Sequence, residues 1–238
     1  MSYRFIGSLR RVAVQLSAAV LLVAACSRGD AAGSSGKSAA AVASTASTAA
    51  PAAVGAPDSI SARADRGRIL GDSTAKVWLV MASDFQCPFC KQWHDAKFSN
   101  IVQKYVKSGQ VRMAYLNMPL SIHQFAVPAA EAAMCASVQD KFWPMHDSLF
   151  ATQNIWEVLQ SPASFFDTLA NHNHVEMGSW RTCMSQHLTR PLIEADYDRA
   201  RQTGVKETPT FIVGATKLTS ADADVAGALD AALAAKGK

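Results

Sequence analysis

The apolar positions of the chain fall into three regimes. Val12 to Ala25 is a mostly apolar run, interrupted by Gln15 and Ser17, behind a basic start that holds Arg4, Arg10 and Arg11. Ser27 to about Ser59 has no period: it is alanine, serine, glycine and threonine, with Pro51 and Pro57. From about Ile60 the pattern becomes that of a folded domain. Lys76 to Ala82 reads as a short, mostly apolar strand, and Val111 to Leu116 alternates as a second strand beside it. Between them Phe98, Ile101, Val102 and Tyr105 recur at helical spacing, which predicts a helix from Lys91 to about Lys107 ended by Ser108-Gly109. Gln124 to His187 reads as mostly helical, with Pro128 and Pro162 able to open helices. Phe165, Phe166, Leu169 and Ala170 make one apolar stripe; Trp180, Cys183, Met184 and Leu188 make another. Pro191 opens a helix to about Thr203, and Thr210 to Gly214 is a strand that turns towards Lys217-Leu218. Val225, Leu229, Ala232 and Leu233 define the face of a terminal helix. Ile60 to Ile69 shows no clear period.

The first two regimes concern delivery rather than fold. A basic start followed by an apolar run too short for a comfortable transmembrane helix is the pattern of a signal peptide, residues 1–25. Val23-Ala24-Ala25-Cys26 resembles the bacterial lipoprotein signal, in which the cysteine is lipidated and becomes the new N-terminus. That reading explains the odd count of five cysteines. Ordinary cleavage nearby, with Cys26 free or removed, is the alternative. Two or three acyl chains anchor a protein stably where one binds marginally. By the same resemblance, Ser27 after the cysteine favours the outer membrane if the source is Gram-negative. Residues 26–59 cannot bury enough apolar surface to offset chain entropy, so they read as a flexible tether. Residues 60–238 form the domain.

Composition narrows the partners. Formal charge is +4, but removing Arg4, Arg10 and Arg11 from the 23 basic residues leaves 20 against 19 acidic ones. Such a balance argues against a nucleic-acid partner. Hydrophobic residues make up 49% of the chain, enough for a buried core.

The chemistry concentrates in Asp84-Phe85-Gln86-Cys87-Pro88-Phe89-Cys90, where a strand runs into a helix. Proline suits the first helical turn, where a missing N–H costs nothing. Cys87 therefore falls at the helix N-terminus, beside unpaired N–H groups and the positive end of the helix dipole. Thiol pKa values in such settings fall to roughly 3.5–7.5. Cys90 lies almost one turn further along, close enough to close a small disulfide ring. An accessible nucleophile, Cys87, backed by a resolving thiol, Cys90, is how a redox pair is built. A zinc half-site or a plain structural disulfide is the alternative, but no second C-x-x-C exists to complete a zinc site. His94, one helical turn after Cys90, reads equally as a ligand or as a solvated surface residue. His123, His146 and His187 read as structural, and the His172/His174 pair gives only a weak metal signal.

Strand, C-P-x-C and helix together resemble the thioredoxin superfamily, and in particular its DsbA-like branch. Gly71 to Ala75 matches the entry turn, Ala129 to Ala136 the alanine-rich inserted helix, Lys141 to Phe150 the next inserted segment, and Gly204 to Phe211 the loop with the cis-proline. The resemblance covers about Ile69 to the C-terminus. It implies an α/β, thioredoxin-like fold with a helical insertion, about residues 122–188, between the two strand–helix halves. It implies a cis bond before Pro209, with the Thr208 backbone turned towards Cys87 to pair with an extended substrate. Pro88 and Phe89 would tune the redox poise. Phe89 offers neither the hydrogen bond nor the charge of a histidine, so a weaker oxidant than a C-P-H-C enzyme is expected. Some relatives carry a second bridge in the inserted block, which implies a structural disulfide between Cys135 and Cys183; buried free cysteines are the alternative.

One position departs from the family. Many relatives place a buried acid six residues before the first cysteine; here it is Met81. Proton transfer would then run through water or Lys91. Asp84 is nearer but reads as a loop residue without that role. The function expected is that of an extracytoplasmic thiol–disulfide oxidoreductase acting on exported proteins, with no cofactor beyond its redox-active disulfide and no metal. A membrane redox partner would reoxidise it, and a monomer is expected. A reductase or isomerase using the same pair, or a non-enzymatic metal-binding or chaperone module, are the alternatives.

Overall fold

In the computed structural model, residues 59–236 are described. The segments expected to be a signal peptide, a lipidated Cys26 and a tether fall in residues 1–58, outside the described residues. Two seven-residue strands form the centre: β2 (Val77–Ser83) and β3 (Val111–Asn117), joined by a helical crossover. They pair in parallel over their whole length, from Val77 opposite Val111 to Ser83 opposite Asn117. A helical crossover is what parallel neighbours require. β1 (Ile69–Leu70) adds antiparallel to β3. On the other side β4 (Thr210–Val213) adds antiparallel to β2, and β5 (Thr216–Thr219) to β4. The sheet order is β1-β3-β2-β4-β5. Along β2, Val77, Leu79 and Met81 are buried while Trp78 is exposed; the last residues, Ala82 and Ser83, are buried as well. The strand thus loses its alternation as it enters the interior where the cysteines follow.

The first helix, α1 (Ile60–Gly67), is capped by Ser59, whose Oγ accepts from the Ala62 N–H at 3.1 Å. The crossover is not the uniform helix that the spacing predicts. It runs as α2 (Pro88–Trp93), a π-turn at His94–Phe98, one turn of α3 (Ser99–Ile101) and a second π-turn at Val102–Val106. Each π-turn adds a residue to the helical circuit. The first rotates His94 inward, against Phe98 and Phe150 with ring centroids 5.2 and 5.0 Å apart. His94 is therefore no solvated surface residue: aromatic contact outweighs the hydration of one imidazole.

The insertion is α4 (Ala126–Ser137), α5 (Phe142–Ala151), α6 (Gln153–Trp156), α7 (Ala163–His172) and α8 (Met177–Ser185). Its axis is α4, whose alanines let neighbours approach from every side. Ala129, Ala130, Ala132, Ala133 and Ala136 are all buried, and α1, α5, α7 and α8 pack around them. Cys135 of α4 and Cys183 of α8 are joined by a disulfide with Cα atoms 5.8 Å apart. Glu131, buried on α4, accepts from Arg190 Nε and Nη2 at 3.0 and 2.9 Å, with His187 Nδ1 at 2.9 Å. A buried carboxylate needs such partners to offset its desolvation. Arg190 begins α9 (Arg190–Gln202), which returns along the sheet. On α9 the buried Asp196 receives Arg68 and both nitrogens of Asn117, tying the start of the domain to the end of β3. α10 (Val225–Lys236) packs on β2 and β4 and buries Val225 and Leu229. Among the described residues, no helix is long and apolar enough to cross a membrane.

Candidate active site

β2 ends at Ser83, and four residues later Cys87 is the N-cap of α2, with extended backbone (φ −73°, ψ 122°) and Pro88 in the first turn. The turn between them is built on Asp84. Its Oδ1 accepts from the Gln86 N–H at 2.8 Å, and its carbonyl accepts from the Cys87 N–H at 3.1 Å. Cys90 follows inside the helix. Both sulfurs are free thiols, and both residues are covered, at 3% and 2% relative exposure. The accessible nucleophile expected of the sequence is thus enclosed in the resting fold. Cys87 Sγ lies 3.5 Å from the Thr208 carbonyl oxygen. The Thr208–Pro209 peptide is cis. Pro209 leads directly into β4, and β4 pairs with β2, so sheet pairing brings Thr208 to the cysteine turn.

The two thiols are pushed in opposite directions. The neighbouring Cys90 thiol holds the Cys87 thiol down, to about 6 from the usual 9.0; burial opposes this, and Thr208 and the N–H groups of Cys90 and Phe89 assist. Burial first, then the proximity of Cys87, pushes the Cys90 thiol well up. One sulfur is therefore an anion near neutral pH and the other keeps its proton. The helix N-terminus and the second thiol both act on Cys87 without a charge inside the motif.

Several residues that hold this arrangement were not marked by the sequence reading. Gln153 of α6 donates from Nε2 to the carbonyls of Phe85 (2.6 Å) and Cys87 (3.1 Å). Gln86 Oε1 accepts from the Phe125 N–H at 2.6 Å, which pins the start of α4. Asp84, though on a loop, has a wholly buried side chain; its Oδ2 meets the Leu120 N–H at 2.8 Å and His123 Nδ1 at 2.7 Å. A polar residue at the end of an apolar strand was the only sequence signal for it. Lys91 is already engaged, donating to Asp95 at 2.8 Å and to the Phe150 carbonyl at 2.9 Å. Met81 is buried in the sheet, as an inert core residue should be. Phe125 is buried too, whereas Phe89, Ile122, Ile155 and Val158 are exposed on segments that flank the cysteine turn.

One cluster has the donor set of a cation site. His94 Nε2 and His146 Nδ1 lie 3.2 and 2.8 Å from the same Asp147 oxygen, with one ligand atom of each residue within 4.8 Å of the others. Hydrogen bonding accounts for the cluster. Burial keeps His146 neutral by lowering its pKa to about 4, and its ring donates to Asp147. Asp147 is desolvated, but the two imidazoles outweigh that and hold it at about 2. His172 and His174 are not part of this cluster.

A family model described as Thioredoxin matches residues 63–231. The Na(+)/H(+) antiporter NhaA 3 of Salinispora tropica is 33% identical over 150 residues, covering 63% of this chain and 22% of that protein. The match therefore spans only about a fifth of the length of that relative. Disulfide bond formation protein D of Bacillus subtilis is 23% identical over 152 residues, covering 61% of this chain and 66% of that protein. Among solved structures, oxidised BdbD from Bacillus subtilis superposes with a TM-score of 0.64 at 23% identity, covering 71% of this chain and 94% of that one. The alpha-DsbA1 protein of Wolbachia pipientis superposes at 0.63 and 17% identity, covering 71% and 91%. The chain belongs to the thioredoxin family, and its fold is that of the DsbA-like branch.

Proposed function

We propose that the protein is a thiol–disulfide oxidoreductase that oxidises pairs of thiols in exported proteins. The observation that carries this reading is the placement of the two sulfurs: Cys87 caps a helix beside the cis-proline loop, 3.5 Å from the Thr208 carbonyl oxygen, and Cys90 is buried behind it; the Cys87 thiol is lowered to about 6 and Cys90 is pushed well up. A substrate thiolate attacks Cys87 Sγ of the Cys87–Cys90 disulfide. The bond between the two enzyme sulfurs breaks, its electron pair leaves on Cys90, and Cys90 takes up a proton. The second substrate thiolate then attacks the substrate sulfur of the mixed disulfide, and Cys87 leaves as a stabilised thiolate. Two electrons pass from substrate to enzyme. A leaving group of low pKa speeds the second step and favours the oxidising direction. Thr208 and Pro209 would align an extended substrate segment against the redox turn as an added strand. The exposed Phe89, Ile122, Ile155 and Val158 provide apolar contact for unfolded chains.

The cycle needs no cofactor beyond the cysteine pair, but it does need a membrane partner to reoxidise Cys87 and Cys90. Export by the N-terminal segment, with Cys26 as a lipid anchor in the periplasm or cell envelope, fits such a role. Equilibrating Cys87 and Cys90 with a glutathione series tests the direction. A potential on the oxidising side of the glutathione couple is expected, and a strongly reducing value would leave reductase or isomerase chemistry. A mass increment of diacylglycerol on Cys26 tests the anchor.

A further inference from the structure

The motif Cys87-Pro88-Phe89-Cys90 carries no charge of its own. A buried charge pair, Asp84 with His123, flanks the motif from outside. Asp84 makes hydrogen bonds on both sides of the turn: its backbone carbonyl holds the Cys87 N–H, Oδ1 holds Gln86, and Oδ2 holds Leu120 and His123. The carboxylate is wholly buried, while the imidazole is 15% exposed. A carboxylate so enclosed is tolerated with a cationic partner in contact. From the contacts around Asp84, we propose that His123 is a positioning residue for the redox sulfur: held by Asp84, its imidazolium stabilises the Cys87 thiolate and supplies the positive charge that Phe89 leaves out. This deepens the proposed function, because it takes Cys87 as the reacting sulfur.

The coupling has a direction that linkage requires. The hydrogen bond to Asp84 raises the His123 pKa most, burial opposes it, and the Cys87 anion raises it further. What the anion does for the imidazolium, the imidazolium does for the anion. Other charges face the same imidazole. Glu157 adds to the raising, and Arg190, Glu194 and Asp198 of α9 line the cavity of about 720 Å³ that His123 borders. Arg190 is engaged bidentately by Glu131. The imidazolium is present below its raised pKa and is lost as pH rises through that value.

The test uses the full chain. The His123 pKa is read by proton NMR in the reduced and the disulfide forms of the unaltered protein. It should fall on oxidation, which removes the Cys87 anion; an equal value in both forms would overturn the proposal. Thiolate absorbance is then followed against pH in reduced variants, with near-ultraviolet circular dichroism confirming the fold. His123→Gln should raise the Cys87 pKa by about half a unit to one unit, roughly three- to tenfold in ionisation, and make the pair less oxidising by about 15–30 mV. His123→Arg should keep the pKa low, and Phe89→His added to His123→Gln should restore it. A folded His123→Gln protein with unchanged titration, or His123→Arg behaving like His123→Gln, refutes the proposal. These readouts need no substrate. Failure of the redox reading would instead show as no disulfide exchange by the unaltered protein.

Discussion

The chain holds two pairs of cysteines that burial cannot tell apart. Cys87 and Cys90 are 3% and 2% exposed; Cys135 and Cys183 are 1% and 4%. Yet the first pair lies at a helix N-cap, where N–H groups, a second thiol and Thr208 act on one sulfur. The second pair sits within two helices, α4 and α8, joined through the apolar centre of the insertion. Backbone and charge around the sulfur, not depth, separate a reactive pair from an inert one.

Four experiments would break or sharpen this contrast. The largest effect is expected from Cys87→Ser, which should cut exchange with peptide disulfides by about a thousandfold or more, as loss of a nucleophile does. Stopped-flow fluorescence, with Trp93 buried nearby as a reporter, measures it. The double change Cys135→Ser and Cys183→Ser should leave that rate near its original value but lower unfolding free energy by about 2–4 kcal/mol. Denaturant melts check the second part, and a large fall in exchange rate would erase the distinction between the pairs. Next, alkylation of the reduced protein should rise with pH through about 6, at Cys87 alone, while Cys90 stays unmodified until well above neutrality. Mapping by mass spectrometry reads this directly. Last comes a difference in stability. A thiol whose folded pKa is depressed stabilises the reduced fold above its unfolded value, and that contribution is lost as pH falls through about 6. Thermal midpoints of the reduced form should therefore decline relative to the disulfide form as pH is lowered through that range.

How much of this was legible in the sequence depends on where each contact comes from. The strand before Cys87, the helix after it and the second strand are written in local periods and in Pro88, so they can be read from neighbours a few residues apart. The stretch expected to be Lys76–Ala82 is Val77–Ser83, and Val111–Leu116 extends to Asn117. The partners of the cysteine turn are not local. His123 and Leu120 lie 39 and 36 residues from Asp84, and Gln153 lies 68 from Phe85. Nothing in their own neighbourhoods marks them, because only the docking of the insertion brings them to the turn. Asp84 lies on the loop where the sequence puts it, but its burial was not legible for a related reason: a loop aspartate is usually solvated, and burial becomes tolerable only once three donors converge on it. The π-turns escaped notice because His94–Phe98 contains no proline or glycine to signal a break. Ring contacts of His94 and Phe98 accompany the first of them instead.

The side chain of Gln153 has a consequence for how this architecture could be pared down. One amide from the inserted helices reaches across to carbonyls on either side of Gln86. Excising the insertion to recover a minimal sheet-and-helix protein would therefore strip the redox loop of its brace. The added helices are masonry beneath the reactive sulfur, and a trimmed descendant of this protein would need a substitute donor before its cysteines could keep their shape.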